Sequence, residues 1–188
     1  MKLGTHNSMT YLKPKKWYMY PFRFIAKCQK VDIKKQYELG ARMFDIRIHY
    51  DKNGNPEFRH GFMAFKGDVE GVFKYLNNKK AKCYIRLVLE VINDKGIKEQ
   101  EDFFVRDCKR WESTYSRLNF FCGCRKLDWK KVYNFSTPEP KINQLVSSTT
   151  WKKLDDWYPW LYAVLMNKKN LANYNSTDWL LIDFIEIK

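Results

Sequence analysis

The chain has 188 residues, of which 45% are hydrophobic and 30% charged, a balance typical of one globular domain and not of a disordered chain. It contains no fixed repeat and no apolar run near the roughly 20 residues that a membrane-spanning helix needs. The formal net charge is +14, which would attract nucleic acid, anionic lipid or phosphorylated substrates without choosing among them.

Hydrophobic patterning predicts helices that alternate with strands. In chain order the predicted elements are a helix over Val31–Leu39, a strand over Arg42–Tyr50, a short strand around Glu57–His60, a helix over Asp68–Asn77, a strand over Cys83–Ile92, a helix over Lys98–Trp111, a loop over Ser136–Ser148, a helix over Trp157–Asn167 and a strand over Trp179–Ile187. Near-continuous apolar strands are typical of a parallel sheet covered by helices. We therefore expect one α/β domain over residues 1–188, a small (β/α) barrel with some helices short or missing.

The five cysteines are odd in number, and the closest pair is Cys122-Gly-Cys124. This spacing is not a CxxC motif and has no histidine nearby, so it predicts neither a disulfide framework nor a zinc site. Free thiols are typical of a reducing compartment. The first residues lack the apolar segment of a signal peptide, and we expect a cytoplasmic or peripheral membrane location.

Polar side chains interrupt the predicted strands. Alternation along the first strand separates three apolar residues from three polar ones: Phe44, Ile46 and Ile48 against Asp45, Arg47 and His49. The other two histidines, His6 and His60, have glycines close by, and Asp183 is an acid within the last strand. Two histidines, an arginine and two acids suit phosphodiester cleavage, with one imidazole as base, the other as acid and the guanidinium on the phosphate. Taken singly, each histidine is more often a structural hydrogen-bonding group.

Three ordered motifs resemble the catalytic X region of phosphatidylinositol-specific phospholipases C. They are GTHNS at residues 4–8, GARMFDIR at 40–47 and RHG at 59–61. The segment DWLLIDFI at 178–185 is similar to the last barrel strand of the bacterial, metal-independent enzymes. The resemblance is strong over residues 3–92, good over 157–187 and weak between them. It implies a distorted, partly open TIM-type (β/α) barrel.

The resemblance also implies a role for each matching residue. His6 matches the general base that deprotonates the inositol 2-hydroxyl, and His60 the general acid that protonates the departing diacylglycerol oxygen. Arg47 matches the arginine that holds the phosphate. Asp45 matches the acid that orients the groups around the phosphate. Asp183 matches the acid that hydrogen-bonds the base. The implied activity is a phosphodiesterase acting on phosphatidylinositol or a related phospho-head-group lipid through a cyclic phosphate.

Two departures from the bacterial pattern concern metal dependence. Asn7 stands where bacterial members usually carry aspartate, and Asn7 and Glu90 match calcium-ligand positions of the eukaryotic enzymes. If calcium binds, its ligands would be Asn7, Asp45 and Glu90. Arg47 stands where those enzymes carry an acid, and its charge would repel the cation, so we favour a site without metal or other cofactor. Glu90 would then pair with Arg86 or Arg47, or bind a substrate hydroxyl.

Two aromatic segments would suit a membrane surface. The first interleaves basic and aromatic residues: Lys13, Lys15, Lys16, Arg23, Lys27 and Lys30 with Trp17, Tyr18, Tyr20 and Phe22. The second, Trp151, Trp157, Tyr158 and Trp160, could form an interfacial or sugar-stacking rim, or simply pack a helix.

Several functions remain open at this stage. We expect a phospholipid or phosphoinositide-type substrate at a peripheral membrane surface. The alternatives are a catalytically weakened lipid- or head-group-binding module on the same barrel, and a calcium-dependent phosphodiesterase. A nucleic-acid partner is disfavoured, because charge and aromatic content supply no recognisable binding motif and leave the histidine motifs unexplained.

Overall fold

The structure, a computed structural model, describes residues 1–93, 95–146 and 158–188. Its strands are β1 (Lys2–Thr5), β2 (Met43–Tyr50), β3 (Pro56–His60), β4 (Met63–Phe65), β5 (Cys83–Leu89), β6 (Leu118–Arg125), β7 (Ile142–Leu145) and β8 (Trp179–Ile182). Its helices are a 3-10 turn (Trp17–Phe22) followed by α1 (Arg23–Ala26), α2 (Ile33–Glu38), α3 (Val69–Asn77), α4 (Ile97–Thr114) and α5 (Pro159–Asn173). No helix within the described ranges is long and apolar enough to cross a membrane.

Six parallel strands form one sheet in the order β6-β5-β2-β1-β8-β7. The antiparallel strands β3 and β4 extend it from the carboxyl end of β2. Among the described residues β6 and β7 do not pair, so the sheet curls into an incomplete barrel. The predicted α/β barrel is confirmed.

Strand β2 shows how the sequence positions the core and the site. Its apolar face, Phe44, Ile46 and Ile48, is buried in the main core, together with side chains of α3 and α4. Its other face turns into the barrel, where Met43 joins a smaller apolar cluster. Asp45 lies further along this inward face, so polar side chains collect at the carboxyl ends of the strands. This is the end at which barrel enzymes hold their active sites.

Several predicted boundaries are wrong. The predicted loop over Ser136–Ser148 contains β7, which becomes a strand by pairing with β8. Strand β8 ends at Ile182 rather than Ile187, because Phe184 has a left-handed φ of 46° and donates its N–H to the carbonyl of Cys28. Strand β5 ends at Leu89 rather than Ile92, and the sequence did not predict β1, β4 or β6.

The last helix ends at Asn173 rather than at the predicted Asn167, and the other predicted elements are found within a few residues of their expected ends. The helix predicted from Trp157 is described from Pro159 onward, and Trp157 itself lies outside the described residues. All five cysteines are free and buried.

Candidate active site

His6 and Asp183 meet because β1 and β8 are parallel neighbours. Thr5 is in register with Ile182, so the residue that follows each strand lies at the same carboxyl edge. His6 Nδ1 lies 2.9 Å from Asp183 Oδ1, and its Nε2 lies 3.0 Å from Nη2 of Arg47. Since a guanidinium can only donate, these contacts assign the proton of the neutral ring to Nδ1. The lone pair of Nε2 is then available to act as a base.

Asn7 bridges the two imidazoles of the site. Its Nδ2 lies 3.2 Å from Nε2 of His6 and 3.2 Å from Nε2 of His60. Asn7 has a left-handed φ of 44°, a conformation that asparagine tolerates, and its backbone N–H donates to Asp45 Oδ2 at 3.1 Å. His60 in turn donates from Nδ1 to the carbonyl of Ala26 at 2.9 Å, so both rings are held in place.

Arg47 lies between two buried acids. Its Nε and Nη2 each lie 3.3 Å from Asp45 Oδ2, and its Nη1 lies 3.4 Å from Glu90 Oε2. Arg86 also approaches Asp45, with its Nε 3.9 Å from Oδ1. Glu90 therefore pairs with Arg47, while its other oxygen accepts the N–H of Gly61 at 2.8 Å, beside His60. The two carboxylates that calcium would need are thus both engaged by a guanidinium.

Burial and charge set the protonation states of these groups. Burial would raise the pKa of Asp45, but Arg47 and Arg86 outweigh it and hold that pKa well below its usual range. Burial would lower the pKa of Arg47, but Asp45 and Glu90 raise it above its usual value. Burial, reinforced by the charge of Arg47, lowers the pKa of His60 to about 3. At neutral pH the free protein therefore holds an ionised Asp45, a charged Arg47 and an uncharged His60.

A cleft of about 520 Å³ opens above these groups. It is lined by His6, Arg47, His60, Arg86, Lys126, Trp129 and Gln144. Lys126 Nζ lies 4.4 Å from the ring centroid of Trp129, and the Arg86 guanidinium lies 4.9 Å from it. With three cationic side chains on its wall, the cleft suits an anionic ligand.

The structure adds residues that the sequence analysis did not find. Lys126 and Trp129 follow β6, a strand that was not predicted. The buried Gln29 amide donates to the carbonyls of His6 and Ile182 at 3.1 and 3.0 Å, which ties the carboxyl end of β1 to that of β8. No local sequence pattern marks Gln29. His49 bonds the carbonyl of Glu90 at 3.1 Å and does not line the cleft.

The two predicted aromatic segments adjoin each other where they are described. Trp17 is 82% exposed and Trp160 is 56% exposed. The rings of Phe24 and Tyr158 stack with their centroids 5.9 Å apart, which joins the two segments. Trp151 lies outside the described residues.

No known family model and no curated protein matches the sequence. Among solved structures, the phosphatidylinositol-specific phospholipase C of Listeria monocytogenes is 14% identical, with a TM-score of 0.59 over 100% of this chain and 92% of that one. A variant of the Staphylococcus aureus enzyme is 15% identical, with a TM-score of 0.62 over 97% and 84%. A further S. aureus structure, from work on modulation of that enzyme's membrane binding, is 14% identical, with a TM-score of 0.52 over 97% and 85%. The chain therefore has the fold of these phospholipases.

Proposed function

We propose that the protein is a phosphodiesterase that cleaves phosphatidylinositol, or a related phospho-head-group lipid, by general acid–base catalysis through a cyclic phosphate. The observation that supports this most is the placement of two imidazoles, His6 and His60, on either side of one amide at the wall of a cationic cleft. The barrel that this chain shares with bacterial phosphatidylinositol-specific phospholipases C adds support.

Each side chain has a defined part in the proposed reaction. The phosphate of the substrate lies against Arg47, which offsets the charge that grows on the non-bridging oxygens. His6 Nε2 takes the proton of a head-group hydroxyl, whose oxygen then forms a bond to phosphorus. The bond from phosphorus to the diacylglycerol oxygen breaks, and His60 protonates that oxygen. Asp183 stabilises the imidazolium formed at His6.

The proposal involves no metal. Arg47 already supplies a positive charge to the two carboxylates, Asp45 and Glu90, that a calcium ion would need. Calcium takes about six to eight oxygen ligands, so it would have to displace this guanidinium from a site where it is almost fully buried.

A second candidate function is binding of a phospho-head-group lipid with weakened catalysis. It is favoured by Asn7, which presents an amide nitrogen to His60 Nε2 at 3.2 Å. An N–H donor stabilises the unprotonated ring, whereas an aspartate would help to hold the proton that a general acid must deliver. Binding of phosphatidylinositol vesicles without turnover would select this alternative.

Membrane association belongs to the same proposal. The exposed aromatic residues Trp17 and Trp160 are amphipathic groups that lie well at a lipid head-group layer, and lysines flank the first of them. We expect Trp17→Ala to weaken partitioning onto phosphatidylinositol vesicles while leaving cleavage of a soluble substrate unchanged. Equal partitioning of Trp17→Ala and wild type would exclude this surface.

The test of the catalytic roles compares two substrates. His6→Ala should abolish cleavage of both phosphatidylinositol and a nitrophenyl inositol phosphate, because each needs the base. His60→Ala should abolish cleavage of the lipid and retain most activity on the nitrophenyl ester, whose leaving group needs little protonation. His49→Ala, a histidine outside the cleft, serves as the control and should remain active on both. Equal losses in His60→Ala on the two substrates would refute the assignment of the acid.

A further inference from the structure

The imidazole of His6 meets two other side chains of metal-ligating type in the protein interior. The ligand atoms of His6, Cys28 and Asp183 lie within 4.8 Å of one another, and all three residues are buried. Cys28 is held there by its backbone, which accepts the N–H of Phe184 at 2.7 Å and donates to Thr10 Oγ1 at 2.9 Å. The cluster is therefore built by the fold and does not depend on a mobile surface loop.

The carboxylate of Asp183 has spare capacity in this cluster. Its Oδ1 accepts from His6 Nδ1, but its Oδ2 is fully buried and has no hydrogen-bond partner among the described residues. A buried carboxylate oxygen without a partner is costly unless a ligand or water satisfies it. The proposed reaction also assigns no part to the thiol of Cys28, so both groups point to an additional ligand.

We propose that His6, Cys28 and Asp183 form a binding site for Zn²⁺ and that zinc bound there inhibits the protein. Zinc binds sulfur at about 2.3 Å, imidazole nitrogen at about 2.0–2.1 Å and carboxylate oxygen at about 2.0–2.2 Å, usually in a tetrahedron. In such a tetrahedron the ligand atoms lie about 3.4–3.6 Å apart. The present separations, none above 4.8 Å, exceed those of this arrangement by at most about 1.4 Å.

The charges and protons of this site balance. Zinc would displace the proton of the Cys28 thiol into solvent and would shift the ring proton of His6 from Nδ1 to Nε2, while Asp183 remains a carboxylate. The thiolate and the carboxylate together neutralise the divalent ion, so the buried site carries no net charge.

Zinc at this position would disable the proposed base. Metal at Nδ1 replaces the hydrogen bond to Asp183 that orients the ring, and the ring proton, now on Nε2, occupies the lone pair that would take the proton of the substrate. Inhibition rests on the proposed phosphodiesterase activity, whereas metal binding does not, so the two can be tested separately.

The binding test uses Co²⁺ as a spectroscopic substitute for zinc. We expect Co²⁺ to give the metal-free full chain the near-ultraviolet band of a cobalt–thiolate bond and the visible bands of tetrahedral cobalt, and we expect Zn²⁺ to remove both. Cys28→Ser should abolish the thiolate band, while Cys108→Ser, another buried cysteine, should retain it. A wild-type protein without the thiolate band, or a Cys28→Ser variant that keeps it, would overturn the proposal.

Two further variants and one assay complete the test. If Cys28→Ser does not fold, His6→Ala removes a second ligand beside the cleft and should weaken cobalt binding as strongly. In the cleavage assay, Cys28→Ser should match wild type in chelator. The zinc concentration for half-inhibition should rise in this variant by more than the roughly 10- to 100-fold that loss of an outer-shell partner costs. If no variant cleaves any substrate, the proposed activity fails, but the cobalt spectra still decide the metal site.

Discussion

The protonation of His60 offers a quantitative test of the proposed acid. Burial and the charge of Arg47 lower its pKa to about 3 in the free protein, so His60 holds no proton to deliver at neutral pH. A general acid needs a pKa near the working pH. The proposal therefore requires that the bound phosphate itself raises the pKa of His60.

The size of this rise follows from the charge of the ligand. One negative charge about 4 Å from the ring, at an effective dielectric constant of about 20, contributes about 4 kcal/mol. Since 1.36 kcal/mol corresponds to one pKa unit, the pKa should rise by roughly 3 units, to roughly 6. The sign is upward because an anion favours the imidazolium over the neutral ring.

Nuclear magnetic resonance of the ring carbons measures this pKa directly. The three histidines can be assigned with His6→Ala and His49→Ala, and each is titrated with and without a soluble inositol monophosphate. We expect His60 to titrate at about pH 3 in the free protein and at roughly 6 in the complex. A pKa near 6.5 without ligand, or one that the ligand leaves unchanged, would refute the electrostatic reasoning.

Three other predictions concern the base, the stability and the fold. Asp183→Asn should lower kcat about 100-fold or more in a vesicle assay, since an amide cannot stabilise the imidazolium of the base with a negative charge. The lowered pKa of His60 means that the folded state prefers the neutral ring, so denaturation should show stability that is present above pH 6.5 and lost as the pH falls towards 3; His60→Ala should flatten this dependence. Glu70→Ala should cost about 1–3 kcal/mol in urea denaturation and leave activity unchanged, because Glu70 accepts the indole N–H of the fully buried Trp111 at 2.7 Å.

The parts of the fold that could be predicted are the strands whose own residues show a clear hydrophobic pattern. Strand β2 alternates apolar and polar side chains from Phe44 to His49, so its ends and both of its faces could be read from the sequence. The parallel arrangement followed from the apolar strands and the helices between them. The motifs around His6 and His60 predicted that these side chains meet, and the structure brings them together through Asn7.

The strands that were missed depend on their neighbours. Strands β1 and β7 have only four residues each, and they are strands because both pair with β8. Strand β6 is interrupted at Cys122 and Gly123, which have φ values of 76° and 64°, and its register against β5 shifts there. At Gly123 a Cβ would lie 2.2 Å from the carbonyl oxygen of Tyr133, so this glycine permits a close approach that no local pattern reveals.

The sequence did not reveal some residues of the candidate site, for the same physical reason. Lys126 and Trp129 reach the cleft from the end of β6, so they could not be placed before that strand was known. Gln29 and Cys28 come from a loop, and their partners at the ends of β1 and β8 are distant in the sequence. Such contacts are set by the assembled barrel and not by residue spacing.

Phosphorus NMR of the purified protein with phosphatidylinositol micelles, in chelator and then with added calcium, tests the central proposal most directly. We predict a cyclic phosphodiester signal in chelator that is absent in His6→Ala and not increased by calcium. A signal only after calcium is added would contradict the part assigned to Arg47. The absence of turnover under both conditions would contradict the proposed phosphatidylinositol cleavage.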